Sequence, residues 1–107
     1  MTQISNDQAL HLLLDASVFL QDAFVKASSD AKRAKLRAAL LPVSSELDQL
    51  LHLTAGNMSN PYRVLTARFR GARDDIQNVI NNRDRLISAV TLATKVANAL
   101  APLVALL

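Results

Sequence analysis

The fold is decided by residues 62–107, which read YRVLTARFRGARDDIQNVINNRDRLISAVTLATKVANALAPLVALL. Apolar side chains recur here at alternating spacings of three and four residues, which is the period of one helix face. Because the series continues to the last residue, it resembles the heptad pattern of a coiled coil. We call this series the apolar stripe: Tyr62, Leu65, Phe69, Ala72, Ile76, Val79, Arg83, Leu86, Val90, Ala93, Ala97, Leu100, Val104 and Leu107.

The stripe is compatible with two architectures. As one unbroken helix of about 40 residues it would be roughly 60 Å long, and a homodimer would be needed to bury it. Alternatively, the chain turns at Asn81–Asn82, since asparagine tolerates left-handed backbone. The turn would give an up-and-down bundle of three or four helices. Both alternatives describe a single all-α domain over residues 1–107.

Two further helices are predicted before the stripe. Ser5 and Gln8 have the spacing of a capping box, which predicts a helix over 6–27. Ser29 is a suitable N-cap for a second helix that runs to about residue 55.

Glycine and proline mark the boundaries of this second helix. We expect Gly56 to end it in a left-handed conformation. Pro42 should kink the helix or split it in two, because proline removes a backbone donor and clashes with the preceding turn. Asn60 and Pro61 predict the cap and first residue of the next helix.

The composition bounds both the size of the protein and its chemistry. The chain has 107 residues, of which half are hydrophobic and a fifth charged, as expected for one folded domain. It has no cysteine, which excludes disulfides, thiol nucleophiles and cysteine zinc sites. Residues 1–10 contain no basic side chain, so we expect no signal peptide and a cytoplasmic location.

Residues with catalytic potential are few. The chain has one glutamate, Glu46, and two histidines, and it contains no glycine-rich phosphate loop or HExxH motif. The pairs His11–Asp15 and Asp48–His52 have the spacing of metal ligands on a helix, but we interpret them as surface pairs. We therefore predict no enzymatic activity, no cofactor, no metal and no small-molecule substrate.

The net charge of +3 is distributed unevenly. The first basic cluster lies at 32–37, in the first half of the second helix. The second lies at 63–73, and Arg83 and Arg85 follow it. In either architecture Arg83 and Arg85 return to the end of the molecule that holds the first cluster. Such clusters could bind phosphates, and the residues concerned are Lys32, Arg33, Lys35, Arg37, Arg63, Arg70, Arg73, Arg83 and Arg85.

Residues 86–107 are apolar around most of the helix and carry one charge, Lys95. The segment is long enough to cross a bilayer, but its serine, threonine and asparagine residues favour a buried or interface helix. A role in membrane association is therefore the least favoured. The residues expected to form the packing surface are Leu86, Val90, Ala93, Ala97, Leu100 and Val104.

The sequence thus favours a protein that acts by protein–protein contact. Every predicted helix carries apolar surface, more than a small monomer should bury, so we expect a homo-oligomer that associates through the C-terminal helix. One alternative is a nucleic-acid-binding helical subunit that uses the basic clusters at 32–37 and 63–85. A further alternative is a membrane-associating or toxin-like protein that uses residues 86–107.

Overall fold

The computed structural model describes residues 3–107 and confirms the all-α class. Within that range the chain forms helices and no β-strand. A single antiparallel bridge pairs Ser5 with Pro61. The elements are α1 (Asn6–Lys26), α2 (Asp30–Leu51), a 3₁₀ turn (Ala55–Asn57), α3 (Ala67–Arg70), α4 (Arg73–Asn81), α5 (Arg83–Leu86) and α6 (Val90–Val104).

Helix α1 begins at the predicted capping box. The Ser5 hydroxyl accepts from the Gln8 N–H at 3.1 Å, and the Gln8 side chain accepts from the Ser5 N–H at 2.9 Å. The N–H groups of Asn6 and Asp7 donate to carbonyls of the loop at 58–60, both at 2.9 Å. The unpaired donors of the first turn are therefore satisfied by a segment distant in sequence.

Helix α2 is continuous through Pro42, so the predicted alternative of two short helices is wrong. The proline is buried among the helix residues that face the core, such as Leu36 and Val43. Burial of that face offsets the one backbone hydrogen bond that proline removes. The helix ends at Leu51 rather than near residue 55, and Gly56 lies in the 3₁₀ turn with no left-handed φ.

The segment after Asn60 is extended, so the prediction of a helix starting at Pro61 is wrong. The Tyr62 N–H donates to the Ile4 carbonyl at 2.8 Å, which holds this segment against the residues preceding α1. Helix begins only at Ala67, where the Thr66 hydroxyl accepts from the Phe69 N–H at 3.1 Å.

The apolar stripe is divided among four helices, so the alternative of one long helix is wrong. The breaks fall at Gly71–Ala72, at Asn82 and at 87–89. Asn82 does interrupt the helix, as predicted, but with φ −112° rather than a left-handed angle. Its side chain donates to the Asn78 carbonyl at 3.0 Å.

The six helices pack together around one core. Helix α1 contacts α2 and α6, and α4 contacts the same two helices. The largest fully buried side chains include Leu13 and Leu20 of α1, Phe69 of α3 and Leu100 of α6. Between residues 3 and 107, no helix combines the length and the apolar character needed to cross a membrane.

Candidate interaction surfaces

The predicted packing residues of the C-terminal helix lie mostly inside the chain. Five of the six are buried, at most 8% exposed: Leu86, Ala93, Ala97, Leu100 and Val104. Val90 is the exception, at 74% exposed, because the chain bends just before α6. These residues pack within the chain, so any surface for association must be sought elsewhere.

Exposed apolar side chains are concentrated on the first two helices. Leu14, Val18 and Val25 of α1 are 39%, 58% and 79% exposed, and spacings of four and seven residues place them on one helix face. Leu41 of α2 is 45% exposed. Leu41 and Leu14 are separated from the turn at 27–29 by about the same number of residues, so they lie at about the same level of the hairpin. We call these four residues the outer hairpin face.

The two helices of this hairpin differ in charge. Away from the turn, the exposed charges of α1 are the acids Asp7 and Asp15, and those in the first half of α2 are the bases Lys35 and Arg37. Beside the turn each helix carries the opposite sign, with Lys26 exposed on α1 and Asp30 on α2. The exposed fractions of the four side chains show that no other helix covers them. The outer hairpin face is thus apolar, free, and flanked by opposite charges.

The first basic cluster lies where the sequence places it, near the turn between α1 and α2. Helix α5, with Arg83 and Arg85, contacts α2, and the Ser88 hydroxyl donates to the Lys26 carbonyl at 3.4 Å. The structure therefore brings both predicted groups to one end. Of these cations Arg33 already has an acidic partner, Asp30, at 2.5 Å, and the neighbouring Lys26 pairs with Asp22 at 3.3 Å.

The second basic cluster has fewer partners. Arg63, Arg68, Arg70 and Arg73 are all exposed. In the part of the chain that the structure describes, none of the four forms an ion pair. These arginines lie on three different elements, with Arg63 in the extended segment, Arg70 in α3 and Arg73 at the start of α4.

A buried carboxylate lies beneath residues 62–66, and no role is predicted for it from the sequence. Glu46 is fully buried in α2. Its Oε2 accepts from the Tyr62 hydroxyl at 2.5 Å and from the Leu65 N–H at 2.6 Å, and its Oε1 accepts from the Thr66 N–H at 2.8 Å. Glu46 thereby attaches the extended segment to α2.

The environment of Tyr62 suits this structural role. Burial raises the pKa of the Tyr62 phenol, and the hydrogen bond to Glu46 and the negative charge of Glu46 raise that pKa further. The phenol therefore stays protonated and serves as a donor, which is the opposite of what a tyrosinate base or nucleophile would require.

A sequence signal for Glu46 does exist. The buried positions of α2 include Leu36, Ala39, Val43, Glu46 and Leu50, which follow spacings of three and four residues. The only glutamate of the chain therefore occupies an apolar helix face. Such a position requires hydrogen-bond partners, but the sequence does not reveal that they come from residues 62–66.

The structure offers no group of residues suited to metal chemistry within 3–107. His11 Nδ1 lies 3.0 Å from the Asp7 carbonyl rather than beside Asp15, and His52 Nδ1 lies 2.6 Å from the Asp48 carbonyl. Both histidines are exposed. An open depression of about 250 Å³ near Ser5 and Pro61 has no titratable side chain in its lining.

Comparisons with protein-family models, with curated proteins and with solved structures found no match to this chain. The functional argument therefore rests on the surfaces described above.

Proposed function

We propose that this chain is a non-enzymatic assembly protein that acts by protein–protein contact and self-associates through the outer hairpin face. The observation that carries the proposal is the exposure of Leu14, Val18, Val25 and Leu41 on neighbouring helices. Isolated exposed apolar residues are ordinary, whereas a group of them on two helices that pack together is typical of a contact surface. In this proposal the chain is a four-helix bundle, with α3–α5 together forming its third arm.

Charge complementarity favours a second copy as the partner. In a dimer whose two-fold axis runs along the hairpin, α1 of one copy lies across α2 of the other. The exposed acids of α1, such as Asp15, then face the exposed bases of α2, Lys35 and Arg37. Opposite charges at the rim of an apolar contact fix its register and oppose wrong pairings.

The proposal moves the contact away from the C-terminal helix. Most of the apolar residues of α6 are buried within one chain, and exposing them for a partner would cost the free energy of their burial, about 1.5–3 kcal/mol for each large side chain. The outer hairpin face requires no such rearrangement.

The test is the mass of a Val18→Glu/Leu41→Glu variant in solution, measured by light scattering coupled to size exclusion. Both positions are exposed in one chain, so the variant should fold and yet be monomeric. Val90→Glu is the matched control, because Val90 is also exposed but lies on α6. The proposal fails if the double variant retains the mass of the unmodified protein, or if the control loses it equally.

A further inference from the structure

We infer that the exposed arginines of residues 63–73 form a nucleic-acid contact surface that binds backbone phosphates without reading sequence. This surface, the arginine surface, comprises Arg63, Arg68, Arg70 and Arg73. It lies on different elements from the outer hairpin face. The inference therefore goes beyond the proposed self-association.

The backbone beneath the arginine surface is fixed. Tyr62, Phe69 and Ala72 are buried, and Glu46 accepts the N–H groups of Leu65 and Thr66. Arg63, Arg68 and Arg70 lie between these anchors and are exposed. A rigid backbone presents its charges without the entropy cost of ordering a loop on binding.

The break between α3 and α4 deprives Arg70 of an acidic partner. In a continuous helix Arg70 and Asp74 would form an ordinary i,i+4 pair. The chain leaves the helix at Gly71–Ala72, and Arg70 Nη2 instead donates to the Val64 carbonyl at 3.4 Å. Arg70 is thereby held beside the extended segment that carries Arg63.

Few acids oppose the arginine surface. No aspartate or glutamate occurs between Asp48 and Asp74. The carboxylate of Glu46 is buried and already accepts three hydrogen bonds. Asp74 and Asp75 are exposed in the first turn of α4, where the helix dipole favours a negative charge. They therefore need no arginine as a partner.

The residue type and the shape favour nucleic acid over a membrane. The guanidinium group binds phosphate oxygens in pairs, which lysine cannot do. Membrane surfaces are bound by amphipathic helices that insert large apolar side chains. Helix α3 has only four residues, and Leu65 is the one large apolar side chain that is exposed between Arg63 and Arg73.

The experiment is fluorescence anisotropy with a labelled DNA duplex and a labelled single-stranded RNA of unrelated sequences. Four phosphate contacts predict an affinity for duplex that falls about 100-fold between roughly 50 and 200 mM salt. An Arg63→Gln/Arg68→Gln/Arg70→Gln variant should bind at least about tenfold more weakly and lose most of this salt dependence. The arginines are exposed, so circular dichroism should show an unchanged fold.

The matched control is Lys32→Gln/Lys35→Gln/Arg37→Gln, which removes the same net charge from α2. The inference predicts a clearly smaller loss of affinity for this control. Equal losses in both variants would overturn the inference, since binding would then follow net charge alone. It would also be overturned if the unmodified protein bound neither nucleic acid at low salt, including the case in which it bound vesicles of phosphatidylserine and phosphatidylcholine instead.

Discussion

At the scale of single residues, Glu46 is the side chain on which the fold most depends. It is an acid on an apolar helix face, and it accepts hydrogen bonds from three donors of residues 62–66. No helical hydrogen bond is available to the two backbone donors, because the chain is extended there. The carboxylate therefore replaces secondary structure as their partner.

Replacing Glu46 with alanine should destabilise the protein by about 3 kcal/mol, because one buried and two partly buried donors lose their acceptor. Chemical denaturation measures this change directly. The control is Asp48→Ala, an exposed carboxylate one half-turn away, which should alter stability by no more than about 0.5 kcal/mol. Similar effects from the two substitutions would contradict the anchoring role of Glu46.

The contact between Tyr62 and Glu46 can be followed at high pH by the ionisation of the Tyr62 phenol. It is the only tyrosine, and there is no tryptophan, so tyrosinate absorbance reports on this residue alone. Since the pKa of Tyr62 is raised in the folded chain, the unfolded chain loses the phenolic proton first, near pH 10. The contribution of Tyr62 to stability is therefore complete below about pH 10 and lost as the pH rises further.

We expect tyrosinate absorbance to appear together with unfolding rather than before it. Stability should fall by at most about 1.4 kcal/mol per pH unit from this group, and Tyr62→Phe should remove that component. Ionisation near pH 10 in a chain that remains folded would show that Tyr62 is not held by Glu46.

At the scale of elements, sequence reasoning succeeded where local rules act alone. Helix α1 follows from its capping box and its period, and α2 begins at its predicted serine cap. The period of the stripe predicts one buried helix face, and most of its positions are buried. Of its exposed positions, Leu65 belongs to the extended segment, and Arg83 and Val90 each begin a new helix. The period therefore predicts which side of each helix is buried, but it does not predict where the helices end.

The errors came from contacts between distant parts of the chain. Pro61 suits the first turn of a helix, but the carbonyls of the loop at 58–60 are needed by the donors of α1, and Glu46 binds the next N–H groups. Neither demand is visible locally. For the same reason, the basic and apolar residues could be listed from sequence, but the free surfaces could not be separated from the core.

Gly56 provides a test at this scale. If Gly56 had a left-handed backbone, adding a side chain there would destabilise the fold. Gly56 has no positive φ, and a Cβ added to it would meet open space. Gly56→Ala should therefore raise the free energy of unfolding by about 0.4–1 kcal/mol, because alanine restricts the unfolded chain. A loss of stability on thermal or chemical denaturation would restore the left-handed cap predicted from sequence.

At the scale of the whole molecule, two surfaces remain after the core is formed. The outer hairpin face is apolar and flanked by opposite charges, and the arginine surface is basic and held by buried anchors. They lie on different elements, so the proposed assembly and the proposed phosphate binding can be tested by separate substitutions. The C-terminal helix has the most apolar sequence of the chain, and most of its apolar side chains belong to the core rather than to either surface.

The central claim is that the chain self-associates through a face left free by its own fold. The measurement that tests it most directly is the mass of the unmodified protein by light scattering across a concentration series. We predict a mass approaching twice the 11.6 kDa of one chain, falling toward that of the monomer on dilution. A strictly monomeric mass at every concentration would contradict the claim.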